Sequence, residues 1–556
     1  MPEASKTPSK SPVVRVIPLG GIGEIGKNIS VIECGDDLIV IDCGLTFPRE
    51  EGQFGVDIVL PDFSYLLENA SRIRALVLTH AHEDHIGAVP YLLRDLKVPQ
   101  VLATRFTLAL VKSKVDEFGL LNATEWVEVV PEDDPVKVGC FELEFVRVAH
   151  SVPDGVAVAT HTPHGTIFHT GDLKLDPSPL DGVPTDLGHI AEIGSDGIAL
   201  YFADSTQADV PGHTRSERSL AGPLRDICGR APGRIVATCF SSHIHRLQQF
   251  LDIAQEEGRA VCILGRSMTR NSNVARNLGY MDADGVHFLK PNQIADQDPD
   301  KVMVLCTGSQ GEPLAALSRY AAGTHPHLRP DPLDTVIFSS RTIPGNDTRV
   351  HRIQNGLAKV GAHLVSSETA HVHVSGHGSS AELLTLLQLA RPTTFVPVHG
   401  EWRHMRAHAE LARAVGIGDD RIMLIENGSV IELRDGKARL TGEFVTVGEQ
   451  LVDRTSNDEI LEDILEDRQQ ASEDGVLVVV AHELSGTLEL ISRGFVEDEQ
   501  GLLDDARRAA EASLEGANGS RLDDLELSKL LQEAVEGVVS ARSRRSPLVV
   551  PVILGN

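Results

Sequence analysis

The stretch "VLTHAHEDHIGAVP", Val77 to Pro90, constrains this chain more than any other. Three histidines and two acids fall within six residues, directly after the apolar run "IRALVLT". His80 and His82 lie two residues apart in extended chain, so both imidazoles leave the same side of a strand. Asp84 and His85 follow at a turn into the helical pattern "IGAVPYLLRDL", which starts at Ile86. They can serve a second position beside the first. Nitrogen and oxygen donors at this density suit Zn²⁺ or Mn²⁺. A structural zinc would ordinarily draw on cysteines and close its shell. None of Cys34, Cys43, Cys140, Cys228, Cys239, Cys262 and Cys306 lies near these motifs in the sequence, and no two form CxxC. Their odd number and irregular spacing read as free, buried thiols in a reducing cytoplasm.

A metal needs further ligands, and three residues close apolar runs where such ligands sit. His150 ends "FVRVAH", Asp172 lies in "FHTGD", and His399 lies in "FVPVHG". Any one alone would read as an ordinary core or loop residue. The segment Gly21-x-Gly23-x-x-Gly26 matches a dinucleotide fingerprint only superficially. That fingerprint must open a helix, and here the strand-like "NISVIE" follows. A glycine-rich strand connection is the reading.

At 556 residues the chain exceeds one ordinary core. No run approaches the roughly 20 apolar residues that cross a bilayer, and "MPEASKTPSKSP" has no signal-peptide core, so no membrane partner is expected. Residues 1–12 read as a disordered tail. Residues 13–215 are rich in strands. From 216 to 366 strands and helices alternate, which implies a parallel sheet covered on both faces. Strand-like runs resume over 367–450, so an α/β domain is inserted into the first. Residues 451–471 are acidic and read as a linker. Residues 472–556 read as a small α+β domain ending in the strand "PLVVPVIL", which needs a partner edge. The net charge of −29 speaks against a nucleic-acid partner only weakly. From Glu449 onward there are 24 acids against 10 Lys and Arg, about half of the excess.

The motifs resemble the metallo-β-lactamase superfamily. His80, His82, Asp84 and His85 match its HxHxDH motif, and His150 and Asp172 match the next two ligand motifs. The resemblance implies an α/β fold with an αββα sandwich and two divalent metal ions, Zn or Mn, bridged by Asp172. One metal takes His80, His82 and His150. The other takes Asp84, His85 and, in many members, a later His, with Asp42 in "VIDCG" supporting the site. Such a pair can steady both the attacking and the leaving oxygen of a phosphoryl transfer. The inserted domain resembles the β-CASP group. Asp204 in "FADST", His373 in "HVHVSGH" and His399 in "PVHGE" match its added motifs. A His at position 399 goes with RNA-processing members and disfavours a DNA repair nuclease.

Within that group the chain is similar over nearly its full length to the bacterial ribonuclease J family, through "LGGIGEIGKN", "THAHEDHIGA", "CTGSQGEP", "SSRTIPGN" and "VPVHGEWRH". The resemblance implies 5′→3′ exonuclease action on single-stranded RNA with a 5′-monophosphate, plus endonuclease action, in RNA maturation and mRNA decay. His373, Val374, Ser375, Gly376 and His377 match a substrate-binding stretch. Ser241, Ser242 and His243 are placed at the 5′-phosphate pocket, with His243 standing where many members have Asn. His373 would contact the scissile phosphate as a catalytic residue, with Asp204 orienting it or a ligand. Arg266, Arg270, Arg276 and Arg341 are candidates for a basic channel. Some members hold a structural calcium near the positions of Gly55 and Asp57. The C-terminal domain would support a homodimer or homotetramer, and an RNA-degradation complex is a further partner. Two competing readings remain at this point: a metal-dependent hydrolase of small molecules, and a non-catalytic RNA-complex scaffold.

Overall fold

The computed structural model describes residues 12–48, 55–343, 345–453, 458–460, 462–482, 487–495, 501–517 and 523–554. Apart from Pro12, the expected N-terminal tail lies outside the described residues. The chain divides into two compact units, residues 1–46 with 59–450, and residues 47–58 with 451–556.

The larger unit is built on two mixed sheets, one of eight strands and one of six. Alternation along the strands supplies the layer between them. In Phe141–Arg147, Phe141, Leu143 and Phe145 pack inward with Val158, Leu200, Phe202 and Val396 of the same sheet, and meet Val14, Val16, Ile39 and Val77 of the other. The opposite face of the six-stranded sheet is covered by the helices Leu187–Asp196, Ser380–Ala390 and Trp402–Ala414. Val146, Phe168, Tyr201 and Phe395 bury against Ile190, Leu383 and Leu387 there. This is the αββα sandwich expected from the sequence. Pro90 does not break the helix after the histidine motif. It sits in the first turn of Val89–Asp95, where its missing N–H has no intrahelical partner to lose.

The inserted domain holds a sheet of five strands, all parallel, in the order Ala260–Leu264, Val302–Cys306, Ile235–Thr238, Thr335–Phe338, His363–Val365. Its three central strands are buried along their whole length, as a sheet covered on both faces requires. The chain leaves the sandwich after the strand Ile198–Asp204 and returns ahead of the helix Ser380–Ala390.

In the smaller unit the terminal strand Leu548–Leu554 finds its edge by pairing in parallel with Val476–His482, which also pairs antiparallel with Leu488–Arg493. The helices Leu502–Ala517 and Asp524–Arg542 cover one face through Ala506, Ala510, Leu531, Val535 and Val539. On the other face Val476, Val478 and Val480 stay half-buried, while Ile491, Val550 and Leu554 are exposed. The stretch expected as a linker carries the helix Glu462–Asp474. All seven cysteines are free, and only Cys140 is exposed. Among the described residues no helix is long and apolar enough to cross a membrane.

Candidate metal centre

The candidate ligands come from strand ends of both sheets. Asp42 follows Asp37–Ile41, His80 follows Ile73–Val77, His150 follows Phe141–Arg147, Asp172 follows Gly165–His169, and His399 follows Thr394–Val398. Their side chains converge on Asp172. Its Oδ2 lies 3.3 Å from His85 Nε2, 3.5 Å from His80 Nε2, 3.6 Å from His399 Nε2 and 3.9 Å from His150 Nε2. Three overlapping donor groups form around it: His80, His82, His150 and Asp172; Asp84, His85, Asp172 and His399; and Asp172, Asp204, His377 and His399. Within each, the ligand atoms all lie within 4.8 Å of one another.

Each imidazole uses one nitrogen to anchor itself outward and turns the other inward, the usual arrangement for metal-binding histidines. His80 Nδ1 donates to Thr79 Oγ1 at 3.0 Å, and His85 Nδ1 donates to Asp42 at 2.7 Å. His150 Nδ1 donates to the Gly376 carbonyl at 2.7 Å. His399 Nδ1 meets Thr206 Oγ1 at 2.6 Å, and His82 Nε2 meets Ser151 Oγ at 3.0 Å. Asp42 also accepts from the Thr79 N–H and hydroxyl, so one carboxylate fixes His85 and the turn before His80. Asp42 and His399 both hold positive φ, 61° and 51°. That is a costly backbone for residues with a Cβ, and it clusters at functional sites.

Inward, His82 Nδ1 faces His80 Nε2 at 3.2 Å and His150 Nε2 at 3.1 Å. Three lone pairs cannot satisfy one another there, and Asp172 Oδ1 is buried with no hydrogen-bond partner. Divalent cations fit this donor set: nitrogen and carboxylate ligands around a shared acid, with one carboxylate oxygen unsatisfied. Burial drives His80 and His150 well below the ordinary imidazole range and brings His82 to about 4. These three stay neutral and ready to ligate. Burial acts the same way on His85, but Asp172, Asp42 and Asp84 outweigh it and raise it to about 10. His399 is raised well above its usual value by Asp172, Asp204 and Asp84 against its own burial.

The glycine-rich segment near the N-terminus braces this centre. The Gly21 carbonyl accepts from the His399 N–H at 3.0 Å. Asn28 donates through its backbone and its side chain to the Asp84 carbonyl, both at 3.0 Å. A Cβ on Gly44 would stand 1.6 Å from that same carbonyl oxygen, so only glycine admits the turn. Asn28, Thr79, Ser151 and Thr206 were not singled out from the sequence. Thr79 and Ser151 adjoin the motif residues His80 and His150, and Thr206 lies two after Asp204; that proximity was the available signal.

Of the added-motif residues, the structure brings His377 rather than His373 to the centre. His377 Nδ1 donates to Asp204 Oδ2 at 2.7 Å and lies 4.0 Å from Asp172 Oδ2. Burial would lower His377, but Asp204 and then Asp172 raise it. His373 faces Arg246, His243, Glu217 and Arg341, and its buried Nδ1 has no hydrogen-bond partner. Ser375 Oγ accepts from the His377 N–H at 3.1 Å, and Val374 is buried. Ser241, Ser242 and His243 follow the strand Ile235–Thr238. Asn271 donates to the Ser241 carbonyl, and His243 Nε2 lies 3.5 Å from Glu217. Arg270 pairs with Glu117 at 2.6 Å and Arg276 stacks on Phe288, while Arg266 and Arg341 are exposed. In the smaller unit Asp57 is exposed and its N–H donates to the Val452 carbonyl, with Gly55 at φ 73°. Among the described residues no metal-ligand group includes Asp57.

Fold and site together define a metallo-hydrolase of the metallo-β-lactamase class carrying a β-CASP insertion. Family models agree along the chain: "Metallo-beta-lactamase superfamily" over residues 22–213, "Ribonuclease J, beta-CASP domain" over 232–357, "Zn-dependent metallo-hydrolase RNA specificity domain" over 364–421 and "Ribonuclease J C-terminal domain" over 463–556. The chain is 41% identical over 547 residues to Ribonuclease J of Mycolicibacterium smegmatis, covering 97% of each. It is 41% identical over 554 residues to Ribonuclease J of Thermus thermophilus, covering 97% of this chain and 95% of that one. It is 36% identical to Ribonuclease J 1 of Streptococcus pyogenes, covering 97% of each. The fold alone is shared with a crystal structure of a protein of unknown function from Enterococcus faecalis (TM-score 0.52, 17% identity, 76% of this chain and 100% of that one). The chain belongs to the ribonuclease J family.

Proposed function

We propose that this metal-dependent ribonuclease degrades single-stranded RNA from a 5′-monophosphate end in the 5′→3′ direction and also cuts internally, leaving 5′-phosphate and 3′-hydroxyl ends. One observation carries the reading. The chain returning from the insertion supplies His377 and His399, and both share Asp172 with the HxHxDH histidines. The segment leading out of the insertion therefore lines the hydrolytic centre, which supports a substrate long enough to span both domains.

His80, His82 and His150 would hold one divalent ion, Asp84, His85 and His399 the other, with Asp172 between them; zinc and manganese both suit these donors. When bound, such a pair polarises a phosphoryl oxygen and makes a nucleophile accessible at neutral pH. His377 is the proton donor in this reading. Asp204 fixes its Nδ1 and favours its charged form, which leaves Nε2 to give a proton to the departing 3′-oxygen. In this reading the catalytic part that the resemblance implies for His373 falls to His377. His373 remains a substrate contact with Ser375 and Gly376, and Ser241, Ser242 and His243 form the 5′-phosphate pocket. The open apolar face of the C-terminal sheet is the surface through which copies of the chain form dimers or tetramers. RNA maturation and mRNA decay in the cytoplasm, within an RNA-degradation complex, are the setting this reading implies.

The test uses one RNA labelled at its 3′ end and carrying a 5′-monophosphate, triphosphate or hydroxyl. Mononucleotide release fastest from the monophosphate supports the reading. Internal cuts without end preference would remove the 5′-phosphate pocket.

A further inference from the structure

Two stretches of chain cross between the sandwich and the insertion, and both meet one buried side chain. The outbound crossing is fixed to the sandwich. The Thr214 N–H donates to Glu382 at 2.6 Å, and the Glu217 N–H donates to Asp176 at 3.0 Å. Asp176 in turn pairs with buried Lys174 at 3.4 Å. The return crossing touches the outbound one where His371 Nε2 meets Ser219 Oγ at 2.9 Å.

Arg246, on the insertion helix Ile244–Glu256, has 0% exposure. Its Nε and Nη2 donate to the Glu217 carboxylate at 2.6 and 3.0 Å. Its Nη1 reaches the Ser339 carbonyl at 2.8 Å, the Ser339 hydroxyl at 2.6 Å and the Val372 carbonyl at 3.1 Å. Gln249 adds a bond to Glu217 at 3.0 Å. One guanidinium therefore joins an insertion helix, the end of an insertion strand and both crossings. Burial would raise the Glu217 carboxyl, but Arg246 and then His243 hold it well below the usual range. A buried ion pair is a poor choice for stability alone, because well-packed apolar residues often do as well or better. A bidentate fork does fix position and angle.

Val372 stands four residues before Gly376, whose carbonyl receives His150 Nδ1–H, and five before His377, which pairs with Asp204. We propose that the Arg246–Glu217 pair is a positioning node that sets residues 373–377 against the metal-ligand cluster, so that RNA held by the insertion is presented in register to the reacting centre. The node rests on the ribonuclease reading given above. It touches no substrate itself. It acts through Val372 and the segment that follows.

The test compares the full-length, metal-loaded protein with Glu217→Gln and Arg246→Lys. Glu217→Gln keeps shape and loses charge; Arg246→Lys keeps charge and loses the fork. Each is assayed on 5′-monophosphate RNA and on bis(p-nitrophenyl) phosphate, which needs the metal centre but no insertion, with metal content and unfolding midpoint measured alongside. The node predicts that kcat on RNA falls roughly tenfold to a hundredfold, as expected for a misplacement of about 1 Å. At saturating metal, KM on RNA and hydrolysis of the small diester, whose nitrophenolate leaves without a proton from His377, stay close to wild type. Parallel loss on both substrates would reduce the pair to a structural role and overturn the proposal. So would a folded variant of either kind with unchanged RNA turnover. Failure of the wild-type protein to cleave RNA would instead overturn the reading on which the node rests, and the node with it.

Discussion

Gly376→Ala isolates the packing beneath His150. A Cβ at position 376 would stand 2.6 Å from His150 Cε1, 2.8 Å from its Nδ1 and 3.1 Å from Ser151 Cβ. Non-bonded carbons settle at about 3.5 Å or more, so the imidazole must retreat by roughly 0.9 Å. Gly376 is not among the glycines with positive φ, so alanine adopts this backbone without strain and the effect belongs to the contact. The same shift strains the His150–Gly376 hydrogen bond and, through Ser151, the one to His82. Metal–nitrogen bonds tolerate only about 0.2 Å. The expected loss of metal affinity at this position is about 10- to 100-fold, or about 1.4–2.7 kcal/mol. RNA turnover at saturating metal should fall by up to roughly a hundredfold. Competition with a chromogenic zinc chelator reads the affinity, and steady-state cleavage reads the rate. Gly378→Ala is the control, since its Cβ would meet Glu382 Cβ at 3.3 Å, the Leu173 carbonyl at 3.5 Å and Leu383 Cδ2 at 3.7 Å, and no metal ligand among them. Wild-type metal affinity and cleavage in Gly376→Ala would refute the claim that this glycine exists to let His150 sit where it does.

Further outcomes follow from the same geometry. Asp172→Asn should lose most bound metal and RNA cleavage together, read by metal analysis and cleavage rate; retained cleavage would contradict the shared-acid role. Chelation should lower the unfolding midpoint, since saturation at 100 times Kd stabilises by about 2.7 kcal/mol per ion. The Glu217 carboxyl is depressed on folding, so its contribution is full above the unfolded carboxylate pKa and is lost as pH falls towards the folded value. Unfolding free energy measured from pH 6 down to pH 3 should thus fall less steeply in Glu217→Gln than in wild type. Val550→Glu, on the open face of the C-terminal sheet, should lower the oligomer mass measured by light scattering, as should deletion from Ser472 onward.

The fold class was legible because its signals are local. Alternating apolar strands mark the sandwich, and fully apolar strands between helices mark the inserted parallel sheet. The strand ends bearing His80, His150, Asp172 and His399 could be read as ligand positions because each closes an apolar run. What sequence could not resolve was direction. His373 and His377 lie four apart in one motif, and only the turn at Gly376 shows which of them faces Asp204. The outer hydrogen-bond layer of Thr79, Ser151 and Thr206 carries no pattern of its own, since hydroxyl residues are common in loops. Arg246 was invisible for a similar reason. Its partners Glu217, Ser339 and Val372 are distant in sequence and meet only where the two crossings close.

The most direct test of the central claim titrates zinc, and separately manganese, into metal-stripped protein while following bound metal and cleavage of 5′-monophosphate RNA in the same samples. Two ions per chain, with cleavage rising as they bind and absent from Asp172→Asn, is the predicted result. Two bound ions with intact RNA, and turnover of a lactone or thioester instead, would contradict it.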